Sequence, residues 1–569
     1  MLAKLSMRPA VRRCAAAGAV TLALLAAGLP TAVAAPAQPD LSRFYRQKVS
    51  WSACEGTGKS KDLQCGKVTV PLDYARPASG TLDIALARYQ ATGKSQGSVL
   101  LNFGGPGVAG ISTLASAPKD YLGLTNGYDV VTFDPRGVGR SSPVRCGDSP
   151  GGAPAPQQQD TGKLDTRDPQ AVLKELRKVA AECTAHSGSV LAHIGTVNVS
   201  RDLDVIRQAL GDKKLNYLGF SYGTRLGAVY AAQFPGKVGR MTLDGVDSLT
   251  EPLSEQGLTG AEAQQTALDD FLDWCVKDLA CPFGQDRRRA GEQVVHLVHS
   301  LDKDPVSSAF GGSFTGQDLV GSIGQGLYSE KLWPTLERAV AQLIEDGDTR
   351  GVEIFAANGM ALPGGIAPPG GTTPSATGAR TPAPSRTAPS ALTTVPGRTA
   401  LPTGQGPGGG LVSQDDVPPD NLAAALMAVN CADDPDRAGA ARLTQNMDRL
   451  RAAYEQASPV FGQYRLTQTL MCYGRPRGTD FIREQVKNLD TPKILLVGTR
   501  GDPATPYRWT EETAARLGPS AVVLDNKGPG HTGYESSKCV HRKVDDFLLY
   551  GSLPANGSSC GSESTVGTG

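Results

Sequence analysis

A serine flanked two residues away by glycine on each side is a candidate nucleophile. The chain has one at Gly219-Phe220-Ser221-Tyr222-Gly223. A serine hydroxyl attacks carbonyl carbon only when a base takes its proton, and that base must be oriented by an acid. Six histidines are available: His186, His193, His296, His299, His531 and His541. When the nucleophile sits on a strand-to-helix turn, the acid and then the histidine follow it in the chain. His531, in Gly528-Pro529-Gly530-His531-Thr532-Gly533, fits that order. Asp502, in Gly498-Thr499-Arg500-Gly501-Asp502-Pro503, is the expected acid because it stands just beyond a strand-like run. Asp244, after an earlier strand, is the reserve. Asp525 is nearer His531 in sequence but shares its strand-loop segment and would have to fold back. His541, at the start of the last helix, reads as a cap or a solvent-facing residue. His296 and His299, three apart on a helix, read as surface or core residues.

Acyl transfer also needs two donors for the developing oxyanion, and losing one typically lowers the rate about 100- to 1,000-fold. The N–H of Tyr222, directly after the serine, is the first expected donor. The second is expected from Gly104-Gly105-Pro106-Gly107, with Gly105 favoured over Gly104, because backbone without side chains can approach a substrate closely. Asp134 and Arg136, in Asp134-Pro135-Arg136-Gly137-Val138-Gly139-Arg140-Ser141, read as braces for these loops.

The spacing of apolar residues supplies elements to position these groups. Strands are expected at 68–70, 82–89, 98–103, 128–133, 215–219, 238–243, 493–497 and 521–524. Helices are expected at 169–186, 199–210 (Leu203, Ile206 and Leu210 on one face, Gly211 as the stop), 224–233 and 541–550. This alternation implies an α/β architecture with a doubly wound, mostly parallel sheet. Between the strands at 238–243 and 493–497 the pattern is mainly helical. The expected organisation is a signal peptide at 1–35, the first part of the sheet domain at 36–250, an inserted helical cap at 251–477 and the last part of the sheet domain at 478–569. Within the cap, 361–411 is dominated by Pro, Gly, Ala, Ser and Thr and has no acidic or aromatic residue. It is expected to be disordered, because it cannot bury enough apolar surface to offset its ordering entropy.

Lys4, Arg8, Arg12 and Arg13 precede an apolar stretch at 15–28 and a small-x-small site, Ala32-Val33-Ala34. That is the layout of an export signal, and the apolar run is short for a membrane span. Arg12-Arg13 leaves the export route open. Setting aside Cys14, ten of the 11 cysteines remain, an even number suited to an oxidising compartment. Pairing in sequence order is the simplest scheme: Cys54–Cys65, Cys146–Cys183, Cys275–Cys281, Cys431–Cys472 and Cys539–Cys560. The expected location is secreted, extracellular or in the cell envelope. The 569 residues include 57 basic and 56 acidic ones, a net charge of +1, with no basic run interleaved with aromatics. No nucleic-acid partner and no membrane span in the mature form are expected. Neither CxxC nor HExxH occurs, so no metal or other cofactor is expected.

Five motifs together carry a resemblance: Gly-Gly-Pro-Gly at 104–107, Asp-Pro-Arg-Gly-x-Gly-x-Ser at 134–141, Gly-x-Ser-Tyr-Gly-Thr at 219–224, Asp-Pro-x-Thr-Pro at 502–506 and Gly-His at 530–531. The chain resembles the secreted tripeptidyl aminopeptidases, which belong with the prolyl aminopeptidase-like α/β hydrolases. The resemblance spans nearly all of the mature chain apart from 361–411. It implies an α/β-hydrolase fold with a cap, Ser221, Asp502 and His531 as the triad, a C-terminal region that supplies acid and base, and release of short peptides from free N-termini. Phe103 stands where the prolyl aminopeptidases carry histidine, so a preference for N-terminal proline is not implied.

The expected partners are therefore peptides with free N-termini, acted on by a monomer. An exopeptidase must recognise an ammonium group, which a cap carboxylate can do. Glu251, Glu255, Asp433 and Asp434 are the candidates. The same nucleophile and donors would serve a secreted carboxylesterase or lipase. A non-catalytic envelope binding protein is disfavoured because every catalytic position holds a competent residue.

Overall fold

Buried parallel strands are built from unbroken apolar runs, because helices cover both faces of the sheet. The computed structural model describes residues 39–55, 62–147, 166–357 and 409–561. Within them lie β1 (Ser52–Ala53), β2 (Gln64–Pro71), β3 (Thr81–Tyr89), β4 (Ser98–Asn102), β5 (Asp129–Phe133), β6 (Leu215–Phe220), β7 (Val238–Asp244), β8 (Val306–Ser307), β9 (Ser313–Phe314), β10 (Ile494–Gly501), β11 (Ala521–Pro529) and β12 (Ser558–Cys560). Ten of these form one sheet in the order β1-β2-β3-β5-β4-β6-β7-β10-β11-β12. From β5 to β12 every neighbouring pair is parallel. β1, β2 and β3 extend that sheet antiparallel at one edge.

From β4 the chain moves out to β5 on one side and returns to β6 on the other. That reversal places the ends of β4 and β6 side by side, with Asn102 in register with Gly219. In such sheets ligands bind beyond the carboxyl ends of the strands at the switch point.

Alternation along each strand divides the core into two layers. Leu100, Tyr217, Leu243 and Leu496 face the helices Thr196–Leu210 and Tyr222–Gln233. Val99, Leu101, Leu218, Leu495 and Val497 pack on the other side with Val540, Val544 and Phe547 of the helix Lys538–Tyr550. Fully burying one such aliphatic side chain contributes roughly 1.5–3 kcal/mol. The helix Thr196–Leu210 stops where Gly211 adopts φ +87°.

Between β7 and β10 the described chain is helical apart from the short pair β8–β9. Helices Leu253–Cys275, Arg287–Lys303, Gly316–Gly326 and Trp333–Asp346 enclose an apolar cluster that includes Phe271, Leu319, Trp333 and Leu336. Two contacts cross the boundaries expected from sequence. Val172, Leu173 and Leu176, from the helix Pro169–Ser187, pack with Met447, Tyr454 and Leu466. Ala424, Ala425, Ala428 and Val429 of the helix Asn421–Asp433 join the sheet core.

Five disulfides are present, paired in sequence order: Cys54–Cys65, Cys146–Cys183, Cys275–Cys281, Cys431–Cys472 and Cys539–Cys560. No helix among the described residues is long and apolar enough to cross a membrane. The expected signal peptide at 1–35 lies outside the described residues, as does 361–408 of the segment expected to be disordered. The end of that segment needs correcting. Gly409 accepts a hydrogen bond from the Asp83 N–H, and Leu411 bridges to Ser141 and packs against the core. Leu411 is the apolar anchor that ends the low-complexity run.

Candidate active site

Ser221 occupies the sharp turn between β6 and the helix Tyr222–Gln233 with φ +53° and ψ −125°. A non-glycine residue in such a conformation stores about 1–3 kcal/mol of strain. The turn holds because its surroundings over-determine it. The Ser221 N–H donates to the Asp244 carbonyl at 2.9 Å, tying the turn to the end of β7. A Cβ at Gly219 would stand 2.5 Å from the Gly223 carbonyl oxygen, and one at Gly223 would stand 2.7 Å from that of Asn102. Both flanking positions therefore require glycine for close backbone packing. Ser221 remains partly accessible and lines a cavity of ≈ 1080 Å³, mouth included.

His531 follows β11, and its ring is buried. Its Nδ1 lies 2.9 Å from both carboxylate oxygens of Asp502, which follows β10. Asp502 also accepts from the N–H groups of Ala504 and Thr505 at 2.8 Å, from Thr505 Oγ1 at 2.9 Å and from the Thr532 N–H at 3.2 Å. A buried carboxylate so thoroughly hydrogen-bonded is fixed in orientation. The His531 N–H donates to the Tyr328 carbonyl at 2.8 Å, and the imidazole stands edge-on to the Tyr328 ring at 5.0 Å. Burial disfavours the imidazolium, but the charge and hydrogen bond of Asp502 outweigh it, helped by Asp244 and Glu535, and raise the His531 pKa. No hydrogen bond joins Ser221 Oγ to His531 in this structure. Such contacts are often loose until substrate binds.

The reserve acids are engaged elsewhere. Asp244 accepts from the Gly533 and Tyr534 N–H groups at 2.8 and 2.7 Å, so it braces the loop that carries His531. Burial lifts its pKa to about 6 against those hydrogen bonds. Asp525 pairs with Arg500 at 3.0 Å. His541 differs from expectation. Ser537 caps its helix, while the imidazole stacks on Tyr534 at 4.1 Å and lies 3.4 Å from Asp545. His296 and His299 are exposed.

Tyr222 opens its helix, where the first N–H groups have no intrahelical acceptor. The N–H of Gly104 is engaged by Asn102 Oδ1 at 3.1 Å. Gly105 lines the cavity, and its N–H has no acceptor among the described residues. Asp134 accepts from the Ile111 and Arg140 N–H groups. Arg136 is fully buried, binds Asp202 at 2.6 and 2.7 Å and donates to the carbonyls of Pro71, Leu72 and His193.

The four carboxylates considered for an ammonium group are not among the residues that line the cavity beside Ser221. Glu251 binds Arg508 and Trp509, and Asp434 binds Arg483 and the Leu253 N–H. Asp433 binds Thr196 and stands 3.6 Å from Arg225. Glu255 is exposed in the first turn of its helix. Glu251, Asp433 and Asp434 line a smaller neighbouring cavity. Glu251, Asp433 and Asp434 thus fix other elements, which sequence proximity could not reveal. The carboxylate that does line the main cavity is Asp247, paired with Arg225 at 2.8 Å. Arg225 follows Ser221 by one helical turn, a spacing that could have flagged it. Tyr328, Arg465 and Thr505 also line the cavity and carried no local signal.

Residues 98–338 match the family model of the alpha/beta hydrolase fold, and residues 458–560 match that of TAP-like protein. Over 532 residues the chain is 32% identical to the putative hydrolase YuaR of Escherichia coli K12, covering 89% of this chain and 91% of that one. The chain belongs to the α/β-hydrolase family. This hydrolase is also 29% identical over 551 residues to the serine protease Hip1 of Mycobacterium tuberculosis H37Rv, covering 90% and 91% of the two chains. It is 29% identical over 544 residues to the tripeptidyl aminopeptidase of Streptomyces lividans, covering 92% of the hydrolase and 88% of that relative.

Proposed function

We propose that this hydrolase is a serine exopeptidase that releases short peptides, tripeptides among them, from free N-termini. The reading rests chiefly on one observation: a buried imidazole that follows β11 is fixed at 2.9 Å by a carboxylate that follows the neighbouring β10, on the same sheet edge as a strained, partly accessible serine. Similarity along nearly the full length of a serine protease and a tripeptidyl aminopeptidase supports it.

In the proposed reaction Ser221 Oγ attacks the peptide carbonyl as His531 Nε2 takes its proton. Asp502 keeps the Nδ1 proton in place and stabilises the imidazolium. The N–H groups of Tyr222 and Gly105 receive the oxyanion. The geometry favours Gly105 over Gly104, whose N–H is already bound. His531 then protonates the leaving amine, and water resolves the acyl-enzyme with His531 again as base. The five disulfides favour a working location outside the reducing cytoplasm.

The test compares the purified protein with Ser221→Ala on free-amine anilides of one, two and three residues, their N-acetylated forms and a short acyl ester. Serine-dependent cleavage confined to free-amine peptides is expected. Turnover of the ester alone would move the protein to the esterases.

A further inference from the structure

Three charged residues line the cavity beside Ser221: Arg225, Asp247 and Arg465. Arg225 and Asp247 neutralise each other at 2.8 Å, with Asp433 behind them. Arg465 differs. Among the described residues no carboxylate pairs with its guanidinium.

The guanidinium is nevertheless held firmly. Its Nε donates to Gln264 Oε1 at 2.8 Å and its Nη1 to Gln468 Oε1 at 3.4 Å. Gln264 is 5% exposed, so a buried amide is committed to fixing this one cation. A Cβ added at Gly260 would stand 3.2 Å from the guanidinium carbon, so the group rests against a bare stretch of the helix Leu253–Cys275. Nη2 makes no hydrogen bond to the protein, and it is not sealed away from solvent. Two neutral amides thus orient a cation and leave one donor edge open. Guanidinium matches carboxylate in shape and charge, and pre-organisation reduces what is lost when the pair forms.

We infer that Arg465 forms an anion subsite in this cavity and selects acyl segments that carry an acidic side chain. The inference rests on the exopeptidase reading. A short acyl segment with a free N-terminus fills the cavity while the leaving chain extends out of it. The wall that holds Arg465 therefore meets a side chain of the released peptide.

The experiment uses tripeptidyl anilides with a free N-terminus in which each residue in turn is Glu or its isostere Gln. The preference for Glu is read in two ways: as a kcat/KM ratio with wild-type protein, and as a ratio of dissociation constants by calorimetry with Ser221→Ala. At one position Glu is expected to win by about tenfold or more, the size of one charge-assisted hydrogen bond. The ratio should fall towards one in Arg465→Met and recover in part in Arg465→Lys. Thermal melting checks that both variants fold. A wild-type ratio near one at all three positions overturns the inference without any variant. If no peptide is turned over, the exopeptidase reading fails separately. The binding ratio then still decides: a Glu preference upholds the subsite, and no preference or no binding overturns it.

Discussion

His531 Nδ1 lies 2.9 Å from each carboxylate oxygen of Asp502, whereas Asp244, at the end of β7, binds the backbone of Gly533 and Tyr534. One carboxylate sets the imidazole and the other sets the loop that carries it. Asp502→Asn should therefore lower kcat by roughly 10⁴-fold through the wrong imidazole tautomer. Asp244→Asn should cost far less in kcat and mainly reduce thermal stability. Steady-state kinetics and melting of the two variants check this, and a larger kcat loss for Asp244→Asn would reverse the assignment.

The raised pKa of His531 sets the direction of the pH dependence. As the proposed base His531 must be neutral, and its pKa lies above the ordinary 6.5 because, against burial, the Asp502 carboxylate more than compensates. The acid limb of kcat/KM should therefore fall above pH 6.5, and Asp502→Asn should move it to lower pH. A pH–rate profile of both proteins measures it. An acid limb well below 6.5 in the wild type would mean that another group limits activity.

A second titration lies next to the site. Glu535 accepts a hydrogen bond from the Tyr121 hydroxyl. Burial, with help from Asp120 and Asp244, lifts its pKa from the ordinary 4.5 to about 7 despite that bond. A group whose pKa is raised on folding adds stability that is full below its unfolded value and lost as pH rises through its folded value. This contribution should be complete below about pH 4.5 and gone above about pH 7. Glu535→Gln keeps the shape and removes the titration. Its melting temperature relative to wild type should rise between pH 5 and pH 8. A difference independent of pH would show that Glu535 does not titrate in this range.

How much of this was legible in the sequence depended on locality. All eight strands marked by apolar runs are present, although β2, β10 and β11 run four or five residues past the expected bounds; the six in the parallel part of the sheet are legible because unbroken Val, Ile and Leu stretches have few alternatives to a covered parallel sheet. β12 was missed: three residues, Ser558–Cys560, carry no periodicity and are placed by pairing with β11 and by the Cys539–Cys560 disulfide. Ser221, Asp502 and His531 were visible because each ends a strand in a glycine- or proline-rich turn. Arg465, Tyr328 and Asp247 were not, because only tertiary packing brings their helices and loops to the serine. The partners of Glu251, Asp433 and Asp434 were hidden for the same reason, since a sequence shows the charge but not the group that satisfies it.

The loop at 134–141 allows the sharpest stability test. Arg136 and Asp202 are 0% and 1% exposed at their side chains and meet at 2.6 Å. Asp202 also accepts from the Tyr74 hydroxyl at 2.8 Å, and Arg136 satisfies three carbonyls around it. Removing one member of such a pair leaves an uncompensated buried charge, which costs roughly 3–5 kcal/mol. Arg136→Met should therefore be strongly destabilising. Arg136→Met combined with Asp202→Leu should recover much of the loss, because no unpaired charge then remains. The three orphaned carbonyls and the Tyr74 hydroxyl keep that recovery incomplete. Denaturant unfolding of the single and double variants gives the coupling directly. Strictly additive losses would mean that the pair is not the brace of this loop.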